Sequence, residues 1–150
     1  RDASCVVFEG RIVVSGGYNI SDRTLNSVEA YDHIDDSWLN MPNMVEERRG
    51  HKSVAIKNKL FIVGGFAESV MEVFDSCCNK FSLLKSNPDV SSNTIFGDVT
   101  STGNKIVIFS DSDSDEQVYF YDVENNMWSR KVCKVIKNIR YFLCARLPQM

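Results

Sequence analysis

The chain has 150 residues, 43 % hydrophobic and 25 % charged, enough for one hydrophobic core and too few for two. Its net charge of −3 and the absence of a basic cluster interleaved with aromatics exclude an obvious nucleic-acid surface. No apolar run nears the roughly 18 residues of a membrane-spanning helix, and no signal-peptide pattern opens the chain.

The first predicted elements are two strands. "SCVVFEG" (4–10) turns on Glu9-Gly10 into "GRIVVSGG" (10–17), an aliphatic run that closes on a glycine pair. A loop, "YNISDRTLN" (18–26), leads to "VEAYDHIDDSW" (28–38). There Val28 and Ala30 alternate with Glu29 and Tyr31, which reads as a third strand, and a fourth begins near Trp38. The connection "NMVEERRGH" (43–51) returns the chain to "SVAIKN" (53–58) and "NKLFIVGG" (58–65), where the pattern restarts.

A strand ending in glycines can open a phosphate-binding loop, but that needs a helix behind it. After Gly65 comes "FAESVMEVFD" (66–75), which reads as loop and strand. The glycine pair is therefore assigned to the frame, where a strand turns while its backbone packs closely against neighbours.

"MEVFDSCCNKF" (71–81) repeats the aromatic-Asp element. After the loop "SNPDVSSNT" (86–94), "NKIVIFSD" (104–111) and "VYFYDVENNMW" (118–128) repeat both segments again. Tyr31/Trp38, Phe74/Phe81 and Tyr121/Trp128 keep one spacing, with a turn former (Asp36, Asn79, Asn126) two residues before each second aromatic. Three units of four short strands and no helical periodicity make the chain all-β, with a repeat length near that of a propeller blade. Val13, Ile62 and Val107 are expected in the core, with Tyr31, Phe74, Tyr121, Trp38 and Trp128 packed between sheets. Gly16-Gly17 and Gly64-Gly65 are expected at strand ends.

With these elements in register, the chain resembles the kelch repeat family. Trp38, Met44, Arg48 and Gly64-Gly65 follow the family's order, whereas Ser110-Asp111 replaces the third glycine pair and no Met-x-x-x-Arg follows Trp128. The resemblance implies a kelch-type β-propeller, of which this sequence supplies about three four-stranded blades of a larger ring. Their bounds are about 1–50, 51–97 and 98–139, with a closing C-terminal strand at 140–147. The sequence is most similar to the C-terminal propeller half of BTB-kelch proteins.

That similarity implies a protein-interaction module, the substrate-recognition propeller of an adaptor for a cullin-RING ubiquitin ligase. The alternative is an actin-binding cytoskeletal protein without a ligase role. Cullin would be reached only through a BTB domain outside this sequence. Neither reading calls for a cofactor, a metal, a membrane, nucleic acid or an enzymatic activity, and both imply a cytoplasmic or cytoskeleton-associated location.

In family propellers the loops between second and third strands and the inter-blade connections share a rim where partners bind. Tyr18, Arg23, Phe66, Arg48, Arg49 and His51 fall on those loops and are the candidate partner-binding residues. Guanidinium groups there could pair with acidic peptides, and replacing Arg48 and Arg49 is expected to weaken such capture without unfolding the chain. The competing reading of Arg48 is a repeat-stabilising residue bonded to backbone carbonyls.

Other constellations are weaker. His33 and His51 have no evident partner, so no hydrolytic site is expected. "SDSDSDEQ" (110–117) imitates a calcium loop through Asp111, Asp113, Asp115 and Asp122, but Glu116 occupies the position that needs glycine. It reads as a solvated acidic loop, with phosphorylation of Ser112 or Ser114 as a minor alternative. The five cysteines, Cys5, Cys77, Cys78, Cys133 and Cys144, show no zinc-type spacing and are expected as reduced, mostly buried thiols.

Overall fold

The computed structural model describes residues 1–67, 70–85, 96–110 and 117–132. The described residues form strands, turns and loops, with no helix among them. Four strands, β1 (Ser4–Phe8), β2 (Arg11–Ser15), β3 (Val28–Asp32) and β4 (Ser37–Asn40), make a first antiparallel sheet in chain order. β5 (Lys52–Ile56), β6 (Lys59–Val63), β7 (Met71–Asp75) and β8 (Lys80–Leu83) make the second. β9 (Phe96–Thr102), β10 (Lys105–Ser110), β11 (Gln117–Asp122) and β12 (Met127–Val132) make the third. The first two sheets belong to one compact unit, residues Arg1–Asn93, and the third to another, Thr94–Met150. Three such blades are a partial β-propeller, the architecture that the repeat pattern implies. The loops at 86–94 and 111–116, the strand expected at 140–147, Ser112, Ser114, Cys133 and Cys144 lie outside the described residues.

Turn chemistry explains why the strands end where they do. Glu9 and Gly10 both take positive φ, 48° and 78°, the pairing that suits a two-residue hairpin between twisted strands. At the β3–β4, β7–β8 and β11–β12 turns, Asp36, Asn79 and Asn126 adopt left-handed φ of 49°, 49° and 54°. Asp and Asn tolerate that region better than other side chains.

The aspartate of each aromatic-Asp pair caps its turn. Asp32 Oδ1 accepts the Ile34 amide at 3.0 Å, Asp75 Oδ1 accepts Cys77 N at 2.9 Å, and Asp122 Oδ1 accepts Asn125 N at 3.0 Å. The Ile34 amide, with help from the Arg11 guanidinium, holds the Asp32 carboxyl below its ordinary pKa. The Asn125 amide does the same for Asp122.

The same cross-strand row is written three times. Strand register sets Val7, Ile12, Tyr31 and Trp38 side by side in the first sheet, Ala55, Leu60, Phe74 and Phe81 in the second, and Ser101, Ile106, Tyr121 and Trp128 in the third. Each aromatic pair touches, with ring centroids 5.2, 5.1 and 5.0 Å apart. The second row is buried because the first sheet lies over it. Phe8, Val13, Val28 and Ala30 pack on Leu60, Ile62, Phe74 and Phe81 in one cluster.

In the first sheet the equivalent row stands on the opposite face, away from that cluster. Val7 is 68 % exposed and Trp38 55 %. The expectation that Trp38 is packed between sheets is therefore corrected: nothing in this unit covers its face. Val13, Ile62, Val107, Phe74 and Tyr121 are buried as expected.

The glycine pairs terminate β2 and β6. A Cβ on Gly16 would fall 2.4 Å from the Arg48 carbonyl oxygen and 2.7 Å from His51 Cε1, and φ there is +57°. Gly16→Ala combines a left-handed backbone with a backbone clash, so it should cost roughly 2–4 kcal/mol. Gly10→Asn, at a turn with open space around it, should cost under about 1 kcal/mol. Denaturant unfolding of the intact propeller compares the two, and equal losses would contradict this account of the glycine pair.

Candidate functional site

Three loops leave the glycine end of the first unit: 16–27 after β2, 41–51 after β4, and the segment after β6, described over 64–67. Backbone bonds tie them together. Gly17 N donates to Arg48 O at 2.8 Å, Arg48 N to Leu25 O at 3.0 Å, Met44 N to Asn26 O at 2.9 Å, and Phe66 N to Arg49 O at 3.1 Å. The 41–51 connection is thus laced to the loop before it and the loop after it.

Beneath this surface sits Arg48, which is fully buried. Its Nε donates to Glu72 Oε1 at 2.6 Å, one terminal nitrogen to Gly64 O at 2.8 Å, and the other to Glu46 Oε2 at 2.7 Å. Glu72, also fully buried, accepts the Val45 amide through its other oxygen at 2.7 Å. A buried guanidinium needs this degree of compensation, because an unpaired charge away from water is prohibitive. Arg48 therefore cannot touch a partner. The structure assigns it to the frame and corrects its place among the partner-binding candidates.

His51 is corrected in the same way. It lies buried under Gly16, with Nε2 and Ser15 Oγ hydrogen-bonded at 2.9 Å and Ser53 Oγ a further 3.2 Å from Ser15 Oγ. The sequence showed no partner for this histidine, since Ser15 becomes its neighbour only when the sheets stack. Burial, and then the Arg48 charge, lower its pKa to about 4, so it is neutral across physiological pH. This Ser–His contact is a sealed joint, with Ser15 buried beside it.

Three other candidates converge. The Arg49 guanidinium carbon lies 5.6 Å from the centre of the Tyr18 ring and 5.1 Å from that of Phe66. Arg49 and Tyr18 are half-buried, and Phe66 is 72 % exposed. Each residue comes from a different loop, so the cluster exists only because the backbone lacing holds those loops together. Cation–π contact fixes the guanidinium without desolvating it.

Arg23 is exposed at the tip of the first loop. Asn19 Oδ1 accepts the amides of Ser21 and Arg23 there, leaving Ile20 entirely in solvent. Arg23 shares the loop with Tyr18, whereas the cation over the Tyr18 and Phe66 rings is Arg49. Glu72 is the residue that sequence reasoning missed. A carboxylate inside the apolar run "VMEVF" was the available signal, because such a group has to find a cation.

The thiols also depart from expectation. Cys5, Cys77 and Cys78 are free and exposed, not buried. At the far end of the same unit a cavity of about 240 Å³ opens between the sheets, floored by Phe8, Val13, Ala30 and Phe74. Arg11 at its edge is held by Asp32, Nε to Oδ2 at 3.0 Å, so the cavity offers less for a polar partner than the glycine-end loops do.

Residues 1–45 and 47–88 match the family model described as "Kelch motif". Human Kelch-like protein 7 is 45 % identical over 49 residues, which is 33 % of this chain and 8 % of that protein. Cowpox virus Kelch repeat and BTB domain-containing protein 2 is 25 % identical over 148 residues, 84 % of this chain and 26 % of that protein. Kelch-like protein 25 of Xenopus tropicalis is 28 % identical over 148 residues, 87 % of this chain and 25 % of that protein. The chain thus spans about a quarter of these longer relatives, or less.

Two predictions follow the burial pattern. Arg48→Leu leaves Glu72 buried without its cation and should cost about 3–5 kcal/mol, whereas Arg49→Ala should cost under about 1 kcal/mol. Equal unfolding midpoints for the two variants would contradict the assignment. The His51 imidazole binds its proton more weakly folded than unfolded. The stability it contributes is therefore complete above pH 6.5 and is lost as pH falls towards 4, by on the order of 3 kcal/mol. His51→Gln should flatten that part of the stability–pH profile.

Proposed function

Because the chain belongs to the kelch repeat family, we propose that it is the substrate-recognition part of a BTB-kelch adaptor for a cullin-RING ubiquitin ligase, working in the cytoplasm. Kelch propellers are protein-interaction modules, and the cowpox relative that matches most of this chain carries a BTB domain in its name. The adaptor would bind its substrate at the glycine-end loops and reach cullin through a BTB domain. The exposed row Val7, Ile12, Tyr31 and Trp38 would receive a further blade of the same repeat, as the second sheet's row receives the first sheet.

The observation that carries this reading is the Tyr18–Arg49–Phe66 cluster. Aromatic and arginine side chains dominate the binding energy of protein interfaces, because they bury large areas while keeping polar donors available. Here two rings hold a guanidinium on an exposed edge whose backbone is already fixed, so little ordering is left for binding to supply. Ile20 and Val45, both exposed, add apolar surface on the same set of loops. Arg49 suits an acidic or carbonyl-rich segment of a partner, with Arg23 as a second cation on a neighbouring loop tip.

In the full-length protein, Arg49→Ala and Phe66→Ala should each weaken substrate capture roughly 10- to 30-fold, with unfolding midpoints unchanged. Capture is measured by pull-down followed by ubiquitin transfer to the captured protein in the presence of cullin. Retention of every partner by both variants, with loss caused instead by Asp35→Ala or Asn125→Ala at β3–β4 and β11–β12 turns, would overturn the assignment of the binding face. Co-sedimentation with actin filaments, without cullin association, would favour the cytoskeletal reading.

A further inference from the structure

We propose that Cys77 and Cys78 form a dithiol site for a trivalent arsenical, a soft centre that takes two thiol ligands and needs no other protein donor. The repeat supplies the control. The two positions correspond to Ile34 and Asp35 in the first repeat and to Glu124 and Asn125 in the third. All six residues are exposed, so this turn tolerates any solvated side chain and the fold has no need of sulfur there. Cysteine is among the most buried residue types, yet here two adjacent free thiols stand on the surface.

The turn that carries them is pinned. Cys77 N donates to Asp75 Oδ1 at 2.9 Å, Cys78 N to Asp75 O at 3.2 Å, and Ser76 N to Asn58 O at 3.2 Å. Asn58 Nδ2 donates to Cys77 Sγ at 3.2 Å, a contact that holds that sulfur in place.

The ligand class follows from donor type and number. Thiolates select soft centres. A tetrahedral zinc site would need two further ligands, and no group of three His, Cys, Asp or Glu able to hold a metal occurs among the described residues. An organoarsenical of the form RAs(OH)2 needs only the pair. Two As–S bonds form and two As–O bonds break, and the thiol protons leave with the oxygens as two molecules of water. Arsenic stays trivalent, so no oxidant or reductant is required. The turn lies at the opposite end of its sheet from Tyr18, Arg49 and Phe66, so an occupied site leaves that cluster open.

The test uses reduced full-length protein, phenylarsine oxide as the probe, and intact mass after a chase with excess monothiol. A two-thiol adduct should survive the monothiol and be stripped by a dithiol, whereas a one-thiol adduct is lost to either. Wild type should retain one arsenical that Cys77→Ser and Cys78→Ser each release at least 10-fold faster, while Cys5→Ser behaves as wild type. Proteolytic mapping of the retained adduct to the 71–81 stretch is the second readout. Retention unchanged in both serine variants, or no retention by wild type, would overturn the proposal.

Discussion

A guanidinium sealed from water between two sheets has to have its hydrogen bonds met, and much of the first unit is arranged around meeting them for Arg48. Glu72 is carried on β7 of one sheet, Glu46 lies on the connection between the sheets, and Gly64 offers its carbonyl at the end of β6. Such a network need not make the protein more stable than an apolar core of the same volume would. What it fixes is position. With Arg48 bonded to β7 and to the end of β6, the 41–51 connection has one path, and its carbonyl at residue 48 meets the amide of Gly17. The first glycine pair then follows as a consequence, since any side chain at residue 16 would collide with that carbonyl.

The two ends of the first unit are built on different principles. At the turn end, local chemistry suffices. An aspartate caps the turn, a left-handed Asp or Asn closes it, and two aromatic rings lie across the strand pair above. At the glycine end little is local, and the loops depend on bonds between residues far apart in the chain, such as Asn26 with Met44 and Arg49 with Phe66. A surface assembled from three loops can present a composite patch that no single loop could hold.

That difference also decides what could be read from the amino-acid order. The strands, the hairpin turns, the aromatic pairs and the structural role of the glycines were legible because each is a short-range pattern that recurs along the chain, the glycine pair twice and the others three times. The loop face was legible as a set of loops, and three of its candidates, Tyr18, Arg49 and Phe66, do meet. Arg48 and His51 could not be separated from Arg49 by sequence, because neighbours in a connection without regular periodicity carry no signal of which way they face. The exposure of Trp38 was equally hidden. Its partner Tyr31 is correctly paired in the register, but what lies over a sheet face is a property of the neighbouring sheet.

Residues 48 and 49 are covalent neighbours under opposite constraints, and this bears on how such a surface can change over generations. Position 48 is locked by partners in three separate segments, so almost any replacement there destabilises the unit. Position 49 follows directly, and its half-buried side chain lies against two rings, half-buried Tyr18 and exposed Phe66. Variation can accumulate at 18, 49 and 66 while the clamp beneath keeps the three loops in place. The surface chemistry of this edge can then change by exchanging side chains, without a new backbone. For protein engineering the same layout describes a scaffold whose randomised positions come from different loops yet share one rigid anchor.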